Sequence, residues 1–315
     1  MNAPLTIAHL SDVHLAPLTG FWPQHWNTKR FLGYANWRLK RRKSHLRSVV
    51  DRLVADLKLQ RVDHIVVTGD LVNIGLPGEY AAARIWLENL GTPDRVSVVP
   101  GNHDVYCRLR TDPGIARWAE YMASDDSGAQ AAPGSGPHFP YVRRVGDIAL
   151  IGLNSAVVTP PGVASGALGR PQVEAAARLL RELGRERLFR LVLIHHPPLV
   201  GHALPMRELR DAADFESVLE KEGAELVVHG HNHRDAIVWK TGAKKPIPVV
   251  GIASGSIGRH LHHEALARYN LYKVIDAGEG WRIELTGRGI RHGDGPVVDV
   301  EHRVLEEPAT LSQTG

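Results

Sequence analysis

The amino-acid sequence predicts an α/β fold with sheet buried between helices. Three observations carry that expectation. Short apolar runs rich in β-branched residues recur along the chain, stretches with a 3.6-residue apolar period lie between them, and Gly-, Pro- and Asn-containing turns separate the two. Strands are expected at 5–10, 62–69, 95–101, 147–153, 188–194, 224–230 and 246–254. Segments 267–275 and 281–286 alternate apolar and polar residues and read as a closing antiparallel pair with one solvated face. Leu46, Val49, Val50, Leu53, Val54 and Leu57 form one apolar stripe, which predicts a helix over 43–59. Further helices are expected over 78–90, over 171–183 with Pro171 at the first helical position, and over 211–222, ended by Gly223. The expected organisation is a single domain over 1–304, interrupted by an unusual segment at 21–47 and a turn-rich surface loop at 123–137, with a flexible tail at 305–315.

Bulk properties narrow the class. The 315 residues suffice for a large core, and 43% hydrophobic with 23% charged residues is ordinary for a globular protein. A net charge of +4 does not by itself argue for nucleic acid. The single cysteine, Cys107, excludes an internal disulfide framework and a cysteine zinc site, and it reads as a small buried thiol. The N-terminus lacks a basic region followed by an apolar run, and no apolar stretch approaches the roughly 18 residues of a membrane span. The expectation is a cytoplasmic enzyme.

The chemistry is concentrated where strands end. Five expected strands run directly into polar clusters: Ser11-Asp12-Val13-His14, Asp70-Leu71-Val72-Asn73, Asn102-His103-Asp104, His195-His196-Pro197-Pro198 and His231-Asn232-His233. The carboxyl ends of strands line the ligand crevice of α/β sheets, so the fold would bring these clusters together. Their donors are nitrogen and oxygen without sulfur, a set that suits first-row divalent or trivalent metals. Seven ligands are too many for one tetrahedral ion and fit two adjacent ions that share a carboxylate.

These motifs in this order, D-x-H, GD-x-x-N, GNHD, HH and GH-x-H, resemble the calcineurin-like metallophosphoesterase superfamily. The resemblance implies a four-layer α/β/β/α sandwich with two mixed sheets and a dinuclear site at the strand ends, holding two divalent or trivalent ions (Mn, Fe or Zn). It implies that Asp12, His14 and His233 hold one ion, that Asn102, His195 and His231 hold the other, and that Asp70 bridges them. A hydroxide between the ions would attack phosphorus, with His103 assisting the leaving oxygen, Asp104 orienting the His103 ring and Asn73 steadying the loop around Asp70.

The remaining candidates are weighed residue by residue. The resemblance implies that only one of His195 and His196 binds metal, normally the one directly after the strand, which is His195; His196 is left as a substrate contact or a structural residue. His229 lies inside a strand and reads as packing, and Gly230 is expected to free the backbone to turn before His231. The layout of the HHPP and GH-x-H stretches is most similar to class III cyclic nucleotide phosphodiesterases. In them the loop after HHPP lines the substrate mouth, so Arg207 and Arg210 are candidate phosphate contacts beside Asn102. The expected substrate is therefore a small phosphodiester, with cyclic nucleotides first. A UDP-diacylglucosamine-type pyrophosphatase and a nuclease are the alternatives.

Segment 21–47 departs from that branch. It carries eight Lys and Arg, interleaved with Phe21, Trp22, Trp26, Phe31, Tyr34 and Trp37, and no carboxylate occurs between Val13 and Val50. Three readings stay open: a packed cap with solvated charges, a peripheral membrane contact, or a grip on an anionic substrate or nucleic acid. The oligomeric state is left open.

Overall fold

In the computed structural model, residues 3–18, 22–125, 138–259 and 264–306 are described. The chain runs from β1 (Leu5–Leu10) through α1 (Thr28–Leu39) and α2 (Arg47–Leu59) to β2 (His64–Val67), α3 (Pro77–Leu90) and β3 (Val96–Val98). A 3-10 stretch (Gly114–Met122) leads to β4 (Tyr141–Val145) and β5 (Ile148–Gly152), followed by α4 (Arg170–Arg185), β6 (Phe189–Leu193), α5 (Ala212–Glu222) and β7 (Leu226–His229). The chain then forms β8 (Ala236–Lys240), β9 (Ile247–Gly251), β10 (Arg268–Asp276), β11 (Trp281–Ile290) and β12 (Val297–Val304). Phe21, residues 126–137 of the expected loop and residues 307–315 of the expected tail lie outside the described residues.

Two six-stranded mixed sheets result, ordered β12-β11-β10-β1-β2-β3 and β4-β5-β6-β7-β9-β8. In the first, β1, β2 and β3 are parallel and β10 adds antiparallel to β1; in the second, β5, β6, β7 and β9 are parallel between antiparallel edge strands. The period of two along each strand divides the second sheet between two layers of core. Leu150, Leu191, Leu193, Leu226 and Val228 pack in the cluster shared with the first sheet. Their neighbours Ile151, Val192, Ile194 and Val227 pack instead against Val173, Leu180, Phe215 and Leu219 of α4 and α5. The stripe of α2 and the buried face of α3 join the first sheet's cluster. This is the four-layer α/β/β/α sandwich.

Several boundaries moved for physical reasons. The helix expected from 43 starts at Arg47, because His45 forms a β-bridge with Ile257 and its ring bonds Ser256. Pro171 is the second residue of α4, still within the turn whose N–H groups lack partners. The closing pair is three strands, β10, β11 and β12. Leu305, read with the tail, is buried and donates its N–H to Ile283 at 2.9 Å, so the sheet extends to it. Among the described residues no helix is long and apolar enough to cross a membrane.

Candidate metal centre

The site forms where β1, β2, β3, β6 and β7 end, between the two sheets. The loops after β1 and β2 run side by side: Asp12 N–H donates to Gly69 O (2.9 Å), His14 N–H to Asp70 O (2.9 Å) and Leu15 N–H to Leu71 O (2.8 Å). Asp12, His14, Asp70, His231 and His233 all adopt positive φ, between 39° and 68°; among the described non-glycine residues, Arg187 is the sole other example. Such conformations cost about 1–3 kcal/mol each and persist where tertiary structure over-determines them. Asp and His tolerate this region better than most side chains, so their identity serves both the backbone and the chemistry. Gly230 is not in the left-handed region. Its role is closeness: a Cβ there would lie 2.0 Å from Ser11 Oγ and 2.3 Å from Asp12 Oδ2.

The donor atoms gather into two sets. In one, His233 Nε2 lies 3.1 Å from Asp12 Oδ1 and 3.4 Å from His14 Nε2. In the other, Asn102 Oδ1 lies 2.9 Å from His231 Nδ1 and 3.2 Å from His195 Nε2, and those two nitrogens are 3.2 Å apart. Asp70 Oδ2 stands between the sets, 3.7 Å from His14 Nε2 and 3.5 Å from His195 Nε2. All seven side chains are buried.

The tautomers decide what these atoms can hold. His195 Nδ1 donates to Thr68 O (2.7 Å) and His14 Nδ1 to Val72 O (3.2 Å), so each Nε2 presents a lone pair to the cluster. These lone pairs face the Asp70 carboxylate and the Asn102 carbonyl oxygen. Lone pairs at such distances repel unless a cation lies among them, so the residues fit a pair of metal ions. Burial, then the charge of Asp12, pushes the Asp70 carboxyl up to about 8. Burial works against protonation of His233, but Asp12 and Glu264 outweigh it and raise that imidazole to about 9.

Four expectations, for Asp104, His196, Arg210 and Cys107, meet a different geometry. Asp104 does not touch the His103 ring. Its Oδ2 accepts from the N–H of Asp70 (2.8 Å) and Gly101 (2.8 Å), and its Oδ1 from Leu71 (2.9 Å) and Val72 (3.1 Å). It is a clamp on the loops that carry Asp70, Asn102 and His103. The His103 ring is oriented by Asn73, whose backbone carbonyl accepts from Nδ1, and its N–H donates to Asp70 Oδ1 at 2.8 Å. Asn73 also reaches Leu15 O with Nδ2 (3.0 Å), in keeping with a loop-steadying role. His196 is close enough to His195 and His231 to complete a third donor group, but its ring nitrogens are taken by Ser155 Oγ (2.7 Å) and Ala164 O (3.1 Å). It is fully buried and packs on the His231 ring at 4.4 Å, which suits a structural role beside that candidate ligand better than a substrate contact. Arg210 donates to Gly166 O (3.2 Å), on the loop that packs against His196. Arg207 is exposed and donates to His231 O (3.1 Å). His229 bonds Gly230 O (3.0 Å) and packs as expected, while Cys107 is half-buried against Asn27 rather than in the core.

Sequence reasoning missed three residues. Arg41, from the basic-aromatic segment, places Nη2 2.7 Å from His14 Nε2 and Nη1 3.0 Å from His103 Nε2. His45 stacks edge-on against His14 at 4.8 Å. Glu264 accepts from His233 Nδ1 at 3.1 Å and sets the direction of its ring. The run of basic residues was the one available signal for Arg41, and it did not say which of them turns inward.

Comparison with known proteins agrees with this fold. The family model for calcineurin-like phosphoesterases matches residues 5–235. A probable cyclic nucleotide phosphodiesterase from Synechococcus sp. is 28% identical over 182 residues, an alignment that spans 57% of this chain and 61% of that relative. A dimetal phosphatase from Danio rerio shares the fold with a TM-score of 0.61 at 14% identity, covering 96% of this chain and 100% of that one. A purple acid phosphatase from yellow lupin does so with a TM-score of 0.56 at 13% identity, covering 95% of this chain and 53% of that one.

Proposed function

From the premise that the chain belongs to the calcineurin-like phosphoesterase family, we propose that it is a dinuclear-metal-dependent phosphodiester hydrolase acting in the cytoplasm on small substrates, with cyclic nucleotides the first class to test. The carrying observation is the pair of donor sets that share Asp70, with His103 and Arg41 beside them. Asp12, His14 and His233 would hold one ion and Asn102, His195 and His231 the other. Two such ions supply Lewis acidity, activating water as the nucleophile and neutralising charge on the phosphoryl oxygens.

The chain's own groups do the rest. Arg41 offers a planar pair of N–H donors, the shape that matches two phosphoryl oxygens. Burial and the Arg41 charge hold the His103 imidazole well below its ordinary pKa, so its Nε2 carries a lone pair while the guanidinium is there. When Arg41 exchanges that bond for a phosphoryl oxygen, Nε2 is free to take a proton from solvent. Water oxygen then bonds to phosphorus and gives up a proton to solvent, the ester P–O bond breaks, and Nε2–H delivers its proton to the leaving oxygen, so His103 ends neutral as it began. The bond from Nδ1 to the Asn73 carbonyl keeps Nε2 aimed at that position. The cyclic nucleotide assignment is supported by the Synechococcus relative and by the spacing of the HHPP and GH-x-H motifs.

The test is a metal-reconstituted substrate panel. Hydrolysis of bis(p-nitrophenyl) phosphate should vanish on chelation and return with Mn, and cyclic nucleotides should be cleaved in the same preparation. Asp70→Ala should lose both activity and metal. His103→Ala should lower turnover by about 10²–10⁴-fold with metal content unchanged. A metal-loaded protein inert toward both diester and monoester model substrates refutes the enzymatic reading; activity without cleavage of cyclic nucleotides refutes only the substrate class.

A further inference from the structure

Helix α1 is built the wrong way round for a core helix. Its inward face carries Arg30 and Trp37, both buried, and Arg30 donates to the backbone carbonyls of Ile74 (3.2 Å) and His25 (3.1 Å) and to that of Gly75. Its outward face carries Phe31, Leu32 and Leu39, which are 54%, 51% and 72% exposed. On a 3.6-residue helix Leu32 and Leu39 lie on one line, and Phe31 is about a quarter-turn round from it. Asn27 caps the helix by accepting from Arg30 N–H at 2.9 Å, so this orientation is anchored at its start as well as along its length.

The exposure is concentrated. Among the described residues eleven large apolar side chains are exposed, and nine lie in segment 22–39, at Val158 or in loop 200–206. The loops adjoin the segment and the metal centre. Lys29 Nζ bonds Thr159 O (2.8 Å), Ala164 N–H donates to Met206 O (2.8 Å), and Arg207 reaches His231 O (3.1 Å). Exposed Arg38, Lys40, Arg42 and Lys43 border the same helix face, and no carboxylate interrupts the segment. Arg41, two residues past the end of α1, enters the metal centre.

We propose that this rim is a docking surface for an anionic lipid bilayer, with the α1 stripe seated among the headgroups, the flanking Lys and Arg on the lipid charges, and the metal centre facing the interface. An outward apolar stripe bordered by unopposed cations is the pattern of a helix that lies in a membrane surface. Contiguous apolar exposure beside a catalytic site marks a partner surface rather than chance. Charge selects the occupant: a neutral or cationic partner gains nothing from the basic border. The docking stands apart from the hydrolytic reading, since it needs neither metal nor turnover.

The experiment is co-sedimentation of the full chain with vesicles of phosphatidylcholine, with and without phosphatidylglycerol. Partitioning should be at least about tenfold stronger on the anionic vesicles at low salt and should fall at high salt. The double variant Leu32→Glu/Leu39→Glu and, separately, Lys40→Glu/Arg42→Glu should each lose most of that binding while thermal unfolding and bis(p-nitrophenyl) phosphate turnover stay at wild-type values. Failure of the wild type to bind anionic vesicles at low salt overturns the proposal. So does binding that survives both double variants. Light scattering that shows a dimer lost in Leu32→Glu/Leu39→Glu, without vesicle binding, assigns the face to a second copy and overturns it too.

Discussion

Asp104 offers the sharpest separation between two accounts of the GNHD motif. If its carboxylate serves the His103 ring, Asp104→Asn is a catalytic variant. If it clamps the loops, the substitution is chiefly a defect of stability and metal retention. Four backbone N–H groups point at the two oxygens, at 2.8–3.1 Å. An asparagine keeps one acceptor oxygen and sets an NH2 group against the other two donors, and flipping the amide only changes which pair suffers. A buried donor without a partner costs about 1–3 kcal/mol, so two cost about 2–6 kcal/mol, a large share of the 5–15 kcal/mol that stabilises a typical domain. The loops affected present Asp70 and Asn102. Urea unfolding of Asp104→Asn should therefore show a loss of that size, and elemental analysis should show fewer metals retained after dialysis. With metal resupplied in excess, the pH dependence of kcat should keep its wild-type shape. An unchanged unfolding midpoint and full metal content, together with a displaced pH profile, would refute the reasoning and return Asp104 to the His103 ring.

Two further outcomes are expected. Arg41→Ala should leave metal content unchanged while raising KM and the inhibition constant of inorganic phosphate, by about tenfold or more for loss of a charge-assisted pair; Arg41→Lys should recover only part of this because its ammonium lacks the planar fork. Weaker metal retention in Arg41→Ala contradicts the phosphate role. Far from the site, Asp56 of α2 accepts from Arg288 through Nε and Nη2 (both 2.8 Å) and from the Tyr269 hydroxyl. Burial opposes ionisation, but the hydrogen bonds from Arg288 and Tyr269 outweigh it and hold this carboxyl below the ordinary carboxylate range. A depressed folded-state value stabilises the protein above the unfolded value, and that stability is lost as pH falls through the folded one. Asp56→Asn should thus cost about 1 kcal/mol near neutral pH, allowing for solvent screening, and match the wild type in acid; a gap that persists in strong acid excludes the charge as its source.

What was legible in the sequence was what the chain encodes locally. The central strands β1, β2, β5, β6, β7 and β9 are covered on both faces, so they read as continuous apolar runs. The strands that escaped notice, β4, β8 and β12, are all at sheet edges. There one side meets water, and residues such as Arg143, Lys240 and Asp299 blur the alternation. Helix α1 escaped for a related reason: its apolar residues face outward and its buried face holds an arginine, so no inward stripe announces it.

The seven proposed ligands belong to the legible part as well, because each follows closely after a strand and the donor types name their own chemistry. By itself the sequence determined the alternation of layers and the N/O donor set, and it set the packed His229 apart from the proposed ligands His231 and His233. Tertiary structure alone decided that Asp104 holds backbone and not the His103 ring, that His196 supports His231, and that Arg41, from a segment with three open destinations, enters the centre. The physical reason is range. Periodicity and turn chemistry act over a few residues, whereas the partner of a loop side chain depends on which distant segment the fold brings within 3 Å. Asp104 meets Asp70 across 34 positions, and Arg41 meets His103 across 62.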